Sequence, residues 1–274
     1  MTTQKNTPKN TPKTGAARER LAEAREAETR RATVRRRLAT AGAVVAVLAL
    51  AGATVAVVSA TRTTAEPASA SVAAPTALVV PANATGPDST VVTYGKADAP
   101  HTLKVYEDFR CPICEKLETS AGKTIQQLAD EGTYKIEFHL AAFLDDNLGG
   151  KGSKTALAAA GAALNEGPDK FKAFHDVLYA NQPDERKDGF GDVNTILDLA
   201  GKVPGLKTDA FVKAVQEGTY LPWAAKVAKA FNASGVRGTP TVLLDDKPLN
   251  VFPNNQIITG DAFAALVRQS VGTP

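Results

Sequence analysis

Cysteine is almost missing from this chain. Only Cys111 and Cys114 occur in 274 residues. A four-cysteine zinc site is therefore excluded. The three histidines, His101, His139 and His175, are scattered without ligand spacing, so the cysteines lack the other half of a mixed site as well, and no metal is expected. A structural disulfide is a second alternative, but one closing so short a loop would restrict the unfolded chain little. Charge is missing from Ala39 to Ala60, a run of 22 residues of small and aliphatic types. A phosphate loop is missing too. Gly150-Lys151-Gly152-Ser153 has no Ser or Thr directly after the Lys and no glycine at the upstream position. The basic excess is local. Residues 1–38 hold 11 Lys and Arg against 4 Glu, whereas the remainder holds 21 basic and 25 acidic groups, so nucleic-acid binding by the main domain is not indicated.

The two cysteines sit in Asp108-Phe109-Arg110-Cys111-Pro112-Ile113-Cys114. A strand-like run, Leu103 to Glu107, precedes them. Cys114, Leu117, Ala121, Ile125 and Leu128 then recur at helical steps. This places Cys111 at or beside a helix N-cap and Cys114 one turn in, on the same face and near enough to close a disulfide. Pro112 suits a first turn, where an amide has no helical partner to lose. The unpaired amides and the positive helix end favour a thiolate at Cys111, and a thiolate is the attacking species. Arg110 is expected to add positive charge. Together these set an expected Cys111 pKa of about 4.5–6.5. Cys114, deeper in the helix, is the expected resolving thiol.

The rest of the chain divides by composition. Residues 1–38 read as a basic cytoplasmic tail, largely without apolar residues to bury in the first 15. Ala39–Ala60 is long enough to span a bilayer, and reads as one transmembrane helix. A cleaved signal peptide is the alternative, because Val58-Ser59-Ala60 suits cleavage; the span is, however, long for that and begins far from the N-terminus. Arg35, Arg36 and Arg37 abut one end and only Arg62 the other, which keeps the N-terminus inside and the catalytic domain extracytoplasmic. Residues 61–88, rich in Ala, Ser, Thr and Pro, read as a linker.

Residues 89–274 read as the globular domain. Strands are expected at His101–Phe109 and Tyr134–Phe143, and helices at Ser153–Leu164, Asp169–Tyr179, Asp192–Ala200, Asp209–Gln216 and Pro222–Phe231. A strand at Thr241–Asp245 follows, with a partner near Leu249–Phe252 and a last helix at Asp261–Val271. The order defines a mixed α/β domain with a helical block, about residues 150–234, inserted between its halves.

A Cys-Pro-Ile-Cys motif after a strand, with Gly-Val-Arg-Gly-Thr-Pro-Thr far downstream before another strand, resembles the thioredoxin fold. The helical block between them is similar to that of the DsbA-like thiol-disulfide oxidoreductases. The resemblance covers about residues 88–272. It implies that Cys111 attacks and Cys114 resolves, without a cofactor. It also implies that Thr239-Pro240 is a cis peptide placing the Thr239 backbone beside the cysteines, where an extended substrate pairs with it next to Pro112 and Ile113. Exported protein thiols are the implied substrates, with a membrane redox partner of the DsbB or VKOR type to accept electrons. A reductase or isomerase on the same scaffold, or a tethered peptide-binding module, are the alternatives.

The sequence departs from the family pattern twice. Where the family often has an acidic proton relay six positions before the first cysteine, this chain has Val105. Glu107 and Asp108 lie nearby and point to opposite faces of a strand; one acts as a proton acceptor for Cys114, or both are solvated groups at the strand end. Ile113 stands where strongly oxidising members have histidine.

Overall fold

The computed structural model describes residues 77–272. The basic tail, the Ala39–Ala60 span and residues 61–76 of the linker lie outside the described residues. Among the described residues no helix is long and apolar enough to cross a membrane.

Six strands form one sheet. They are β1 (Ala84–Thr85), β2 (Val91–Tyr94), β3 (His101–Asp108), β4 (Tyr134–Ala141), β5 (Thr241–Leu244) and β6 (Lys247–Leu249), in the spatial order β1-β2-β4-β3-β5-β6. Only β3 and β4 pair in parallel, with Val105 opposite Phe138. Antiparallel β5 lies on the other side of β3 and brings Val242 opposite Val105. Central β3 thus has neighbours on both sides, and its far end delivers the cysteine motif.

The helices follow in chain order. α1 (Pro112–Leu117) leads through a π-helical turn, Glu118–Gly122, into α2 (Lys123–Glu131). Between β4 and β5 come α3 (Phe143–Leu148), α4 (Gly152–Glu166), α5 (Pro168–Ala180), α6 (Val193–Ala200), α7 (Asp209–Gln216) and α8 (Leu221–Ala233). α9 (Gly260–Val271) closes the domain. Helix α4 is buried on nearly every side, as its run of alanines allows. Gly161 in α4 is required by the sole tryptophan, since a Cβ there would lie 2.7 Å from the ring of Trp223.

Several local expectations are corrected. Residues 77–88, assigned to the linker, belong to the folded unit. Ala82 N donates to Asn165 Oδ1 at 3.1 Å, the Asn83 side chain donates to Leu164 O at 2.9 Å, and β1 adds to the sheet. Directly after this segment, Ser89 O accepts from Trp223 Nε1 at 2.8 Å, tying this stretch to α8. The partner of β5 is Lys247–Leu249 rather than Leu249–Phe252. It begins directly after the tight turn at Asp245-Asp246, where both residues take positive φ. The second strand stops at Ala141, and Phe143 starts a short helix.

Candidate functional site

Strand β3 ends on Asp108, and the chain turns at once into α1. Cys111 is the N-cap of α1 and Pro112 takes its first turn. The Cys114 amide donates to Cys111 Sγ at 3.4 Å, so a first-turn N–H points at the sulfur. Both cysteines are free thiols and both are buried, Cys114 completely and Cys111 with 6% of its surface exposed.

The two sulfurs differ electrically. Cys111 is pulled down to about 7, chiefly because the Cys114 thiol donates to it; burial opposes this, and the Cys114 and Ile113 amides assist. Cys114 is pushed well up, first by burial and then by the neighbouring Cys111 sulfur and the Glu107 charge. Cys111 therefore ionises first, being about half thiolate at pH 7, while Cys114 stays a thiol. The value for Cys111 lies above the expected 4.5–6.5, and Arg110 explains part of the difference. Its guanidinium turns away from the sulfur and is enclosed, donating to Asp145 Oδ1 at 2.8 Å and to Gly149 O at 2.9 Å. Asp188 Oδ1 is 3.2 Å away and the Glu185 carbonyl accepts a further bond. Arg110 is a structural cation joining the cysteine loop to the helical block.

The Thr239-Pro240 peptide is cis. The Cys111 thiol donates to Thr239 O at 3.4 Å, so residues 128 positions apart in sequence meet at the nucleophile. Thr239, Pro240, Pro112 and Ile113 are all half-buried. Pro112 also borders an open cleft of about 420 Å³ whose other walls include Glu115 and Gln182.

Glu107 and Asp108 do point to opposite faces, but neither is solvated. Both are fully buried, which overturns the reading of exposed strand-end groups. Asp108 is occupied structurally. Its carboxylate accepts from Arg110 N at 3.0 Å, Ser153 Oγ at 2.6 Å and Leu144 N at 3.2 Å. Ser153, in the first turn of α4, thus reaches back to the redox loop. Glu107 faces α5, where its Oε2 lies 2.8 Å from His175 Nε2, and its Oε1 has no hydrogen-bond partner.

Sequence spacing did not reveal three further residues. Gln182 donates from Nε2 to the carbonyls of Phe109 (2.8 Å) and Cys111 (3.1 Å), holding the redox loop from the helical side. His175, which had seemed isolated, meets Glu107. Glu118 joins them from the π-helical turn, a feature that often marks functional sites and is the one local signal available. The ligand atoms of Glu107, Glu118 and His175 lie within 4.8 Å of one another, the one trio among the described residues placed to hold a metal ion. Glu107 and His175 are already paired within it.

A low-pKa thiolate at a helix N-cap, a buried high-pKa thiol one turn on, and a cis-proline loop against the first sulfur define a thiol-disulfide oxidoreductase. A family model described as Thioredoxin matches residues 88–258, and the chain belongs to that family. It is 28% identical over 159 residues to Disulfide bond formation protein D of Bacillus subtilis, a match covering 58% of this chain and 69% of that protein. Among solved structures, BdbD from Bacillus subtilis superposes with a TM-score of 0.54 at 26% identity, covering 65% of this chain and 91% of that one. Reduced DsbA from Mycobacterium tuberculosis gives 0.53 at 26% identity, covering 65% and 88%.

Proposed function

We propose that the protein is a membrane-tethered, extracytoplasmic oxidase that gives the Cys111–Cys114 disulfide to exported proteins. The observation that carries this reading is the opposed ionisation of the two sulfurs. A substrate thiolate attacks Cys111, whose partner Cys114 leaves and takes up a proton. A second substrate thiol then attacks the mixed disulfide, and Cys111 leaves as the stabilised thiolate. Two electrons remain on the enzyme, and with no further cysteine to receive them a membrane protein of the DsbB or VKOR type takes them.

Glu107 is the proton acceptor for Cys114 when the membrane partner reoxidises the pair, replacing the carboxylate missing at Val105. Its buried, unpartnered Oε1 and its charge acting on Cys114 support that role. Thr239, Pro240, Pro112 and Ile113 form the substrate-facing surface, with the Thr239 backbone beside the sulfur under attack. Ala39–Ala60 is the anchor, supported by its length, its lack of charge and the three arginines on one side. The DsbA and Disulfide bond formation protein D relatives support the direction of electron flow.

One observation favours disulfide reduction instead. A Cys111 value of about 7 lies at the thioredoxin end of the Cys-X-X-Cys range, which is the reducing end. Alkylation of intact cells separates the two. An oxidase is found with Cys111 and Cys114 mostly joined, and mostly free thiols would establish the reductase.

A further inference from the structure

Five ionisable side chains form one cluster, and the charge of one of them, Glu107, acts on Cys114. β3 supplies Glu107, the π-helical turn supplies Glu118, and α5 supplies Lys172, His175 and Asp176. Glu107 and His175 are fully buried, and Lys172 is nearly so. Lys172 donates to Asp176 Oδ1, and His175 Nδ1 lies 3.2 Å from the same oxygen. Tyr179, also from α5, is buried with an unpartnered hydroxyl and feels the charges of Glu107, Cys114, Glu118 and Cys111. The network runs from the Cys114 side to the protein surface. Glu118 is half-buried and, with Asp176 and Tyr179, lines a cleft of about 250 Å³ that also includes Thr119, Gly122 and Gln126.

The geometry points to a proton route in which Glu107 hands the Cys114 proton to Glu118, held in place by His175, and Glu118 releases it into this cleft. The proposal rests on the oxidoreductase activity and extends the role of Glu107. The sulfur chemistry stays beside Thr239 and proton exchange takes place in the cleft.

The charges fit a relay. Burial, and then the Glu107 charge, push Glu118 up to about 8, with His175 and Lys172 pulling the other way. Burial alone would lower His175, but Glu107 and then Asp176 hold it up at about 9, so it stays cationic near neutrality beside Glu107. Glu118 therefore titrates within the working range of the sulfurs, while His175 positions Glu107 without exchanging its own proton. Gly122 belongs to the arrangement, because a Cβ there would lie 2.6 Å from Glu118 Oε2.

The step that uses the route is resolution of a mixed disulfide. With reduced protein and glutathione disulfide, the Cys111 thiolate attacks one glutathione sulfur and expels the other as a thiolate. Cys114 then gives its proton to Glu107 as Glu118 loses one to the cleft. The Cys114 thiolate attacks Cys111, the internal disulfide forms, and the second glutathione leaves as a thiolate. The protein loses two electrons and glutathione disulfide gains them.

The test follows the lifetime of the Cys111–glutathione mixed disulfide in the full chain, by acid quench and mass spectrometry across pH. In the wild type its decay quickens with an inflection near pH 8 as Glu118 ionises. In Glu118→Gln it forms at an unchanged rate but persists at least about tenfold longer at neutral pH, and the inflection disappears. Glu118→Asp restores part of the decay rate. Gly122→Ala, which displaces the Glu118 carboxyl without removing it, lengthens the lifetime too and serves if Glu118→Gln does not fold. Equal lifetimes and pH profiles in wild type and both variants overturn the route alone. A wild type that forms no mixed disulfide at all overturns the oxidoreductase reading, and the route with it.

Discussion

Glu107 Oε2 lies 2.8 Å from His175 Nε2, and neither side chain touches solvent. The pair joins central β3 to α5 and so links the sheet to the helical block. Removing one member leaves the other charge buried alone, which costs about 3–5 kcal/mol. His175→Ala and Glu107→Ala are each expected to lose that much in urea unfolding. Glu107→Gln, which leaves a neutral group able to hydrogen-bond, should lose less.

The pH dependence of folding should carry the signature of the same pair. The His175 value is raised, from 6.5 to about 9, so its contribution to stability is complete below about 6.5 and disappears as pH rises through 9. Urea midpoints of the oxidised protein measured from pH 6 to 10 should therefore fall across that window, and the fall should be absent in a folded Glu107→Gln variant.

The two cysteines should behave unequally in trapping experiments. Cys114→Ala is expected to accumulate mixed disulfides through Cys111, because the resolving thiol is gone. Cys111→Ala should accumulate almost none, since Cys114 is completely buried and held as a thiol. Equal trapping by the two variants would overturn the assignment.

For Cys111 the sign runs the opposite way to that of His175. Its value is lowered, from 9.0 to about 7, so it stabilises the reduced protein above the unfolded value, and that stabilisation is lost as pH falls through 7. The thiolate absorbance of the reduced protein should titrate with a midpoint near 7. Ile113→His should lower the midpoint and make the disulfide more oxidising, because it places a potential cation beside the sulfur.

Arg110→Met separates charge from architecture. The guanidinium is tied to Asp145, Asp188 and two carbonyls, so its loss should destabilise the fold by about 3–5 kcal/mol. The Cys111 midpoint should change little. A large upward movement of that midpoint would show instead that Arg110 does act on the sulfur.

What could be read from the sequence was whatever short spacing determines. Cys111 at the N-cap, Pro112 after it and the helical phase of Cys114 follow from seven consecutive residues, and the structure keeps them. The Thr-Pro loop needed a family pattern, because nothing local brings residue 239 to residue 111. Arg110 was misjudged for the same reason, since its partners at 145, 149, 185 and 188 are remote in sequence. Glu118 and His175 have ordinary surroundings on their own helices, and only the packing of α5 across β3 joins them to Glu107. The β1–β2 segment was missed because its strands are short and follow a Pro-rich run that reads as linker.

The contact between Trp223 and Ser89 has a spectroscopic consequence. Trp223 is the sole indole in the chain, is fully buried, and is anchored to the segment leading into β2. Intrinsic emission therefore comes from one environment, on the seam between α4, α8 and the N-terminal edge of the folded unit. A red shift would signal detachment of that edge. Changes in thiol oxidation state, at a different place in the molecule, should leave the emission maximum where it is, so fluorescence and thiolate absorbance can be followed in one cuvette as independent clocks.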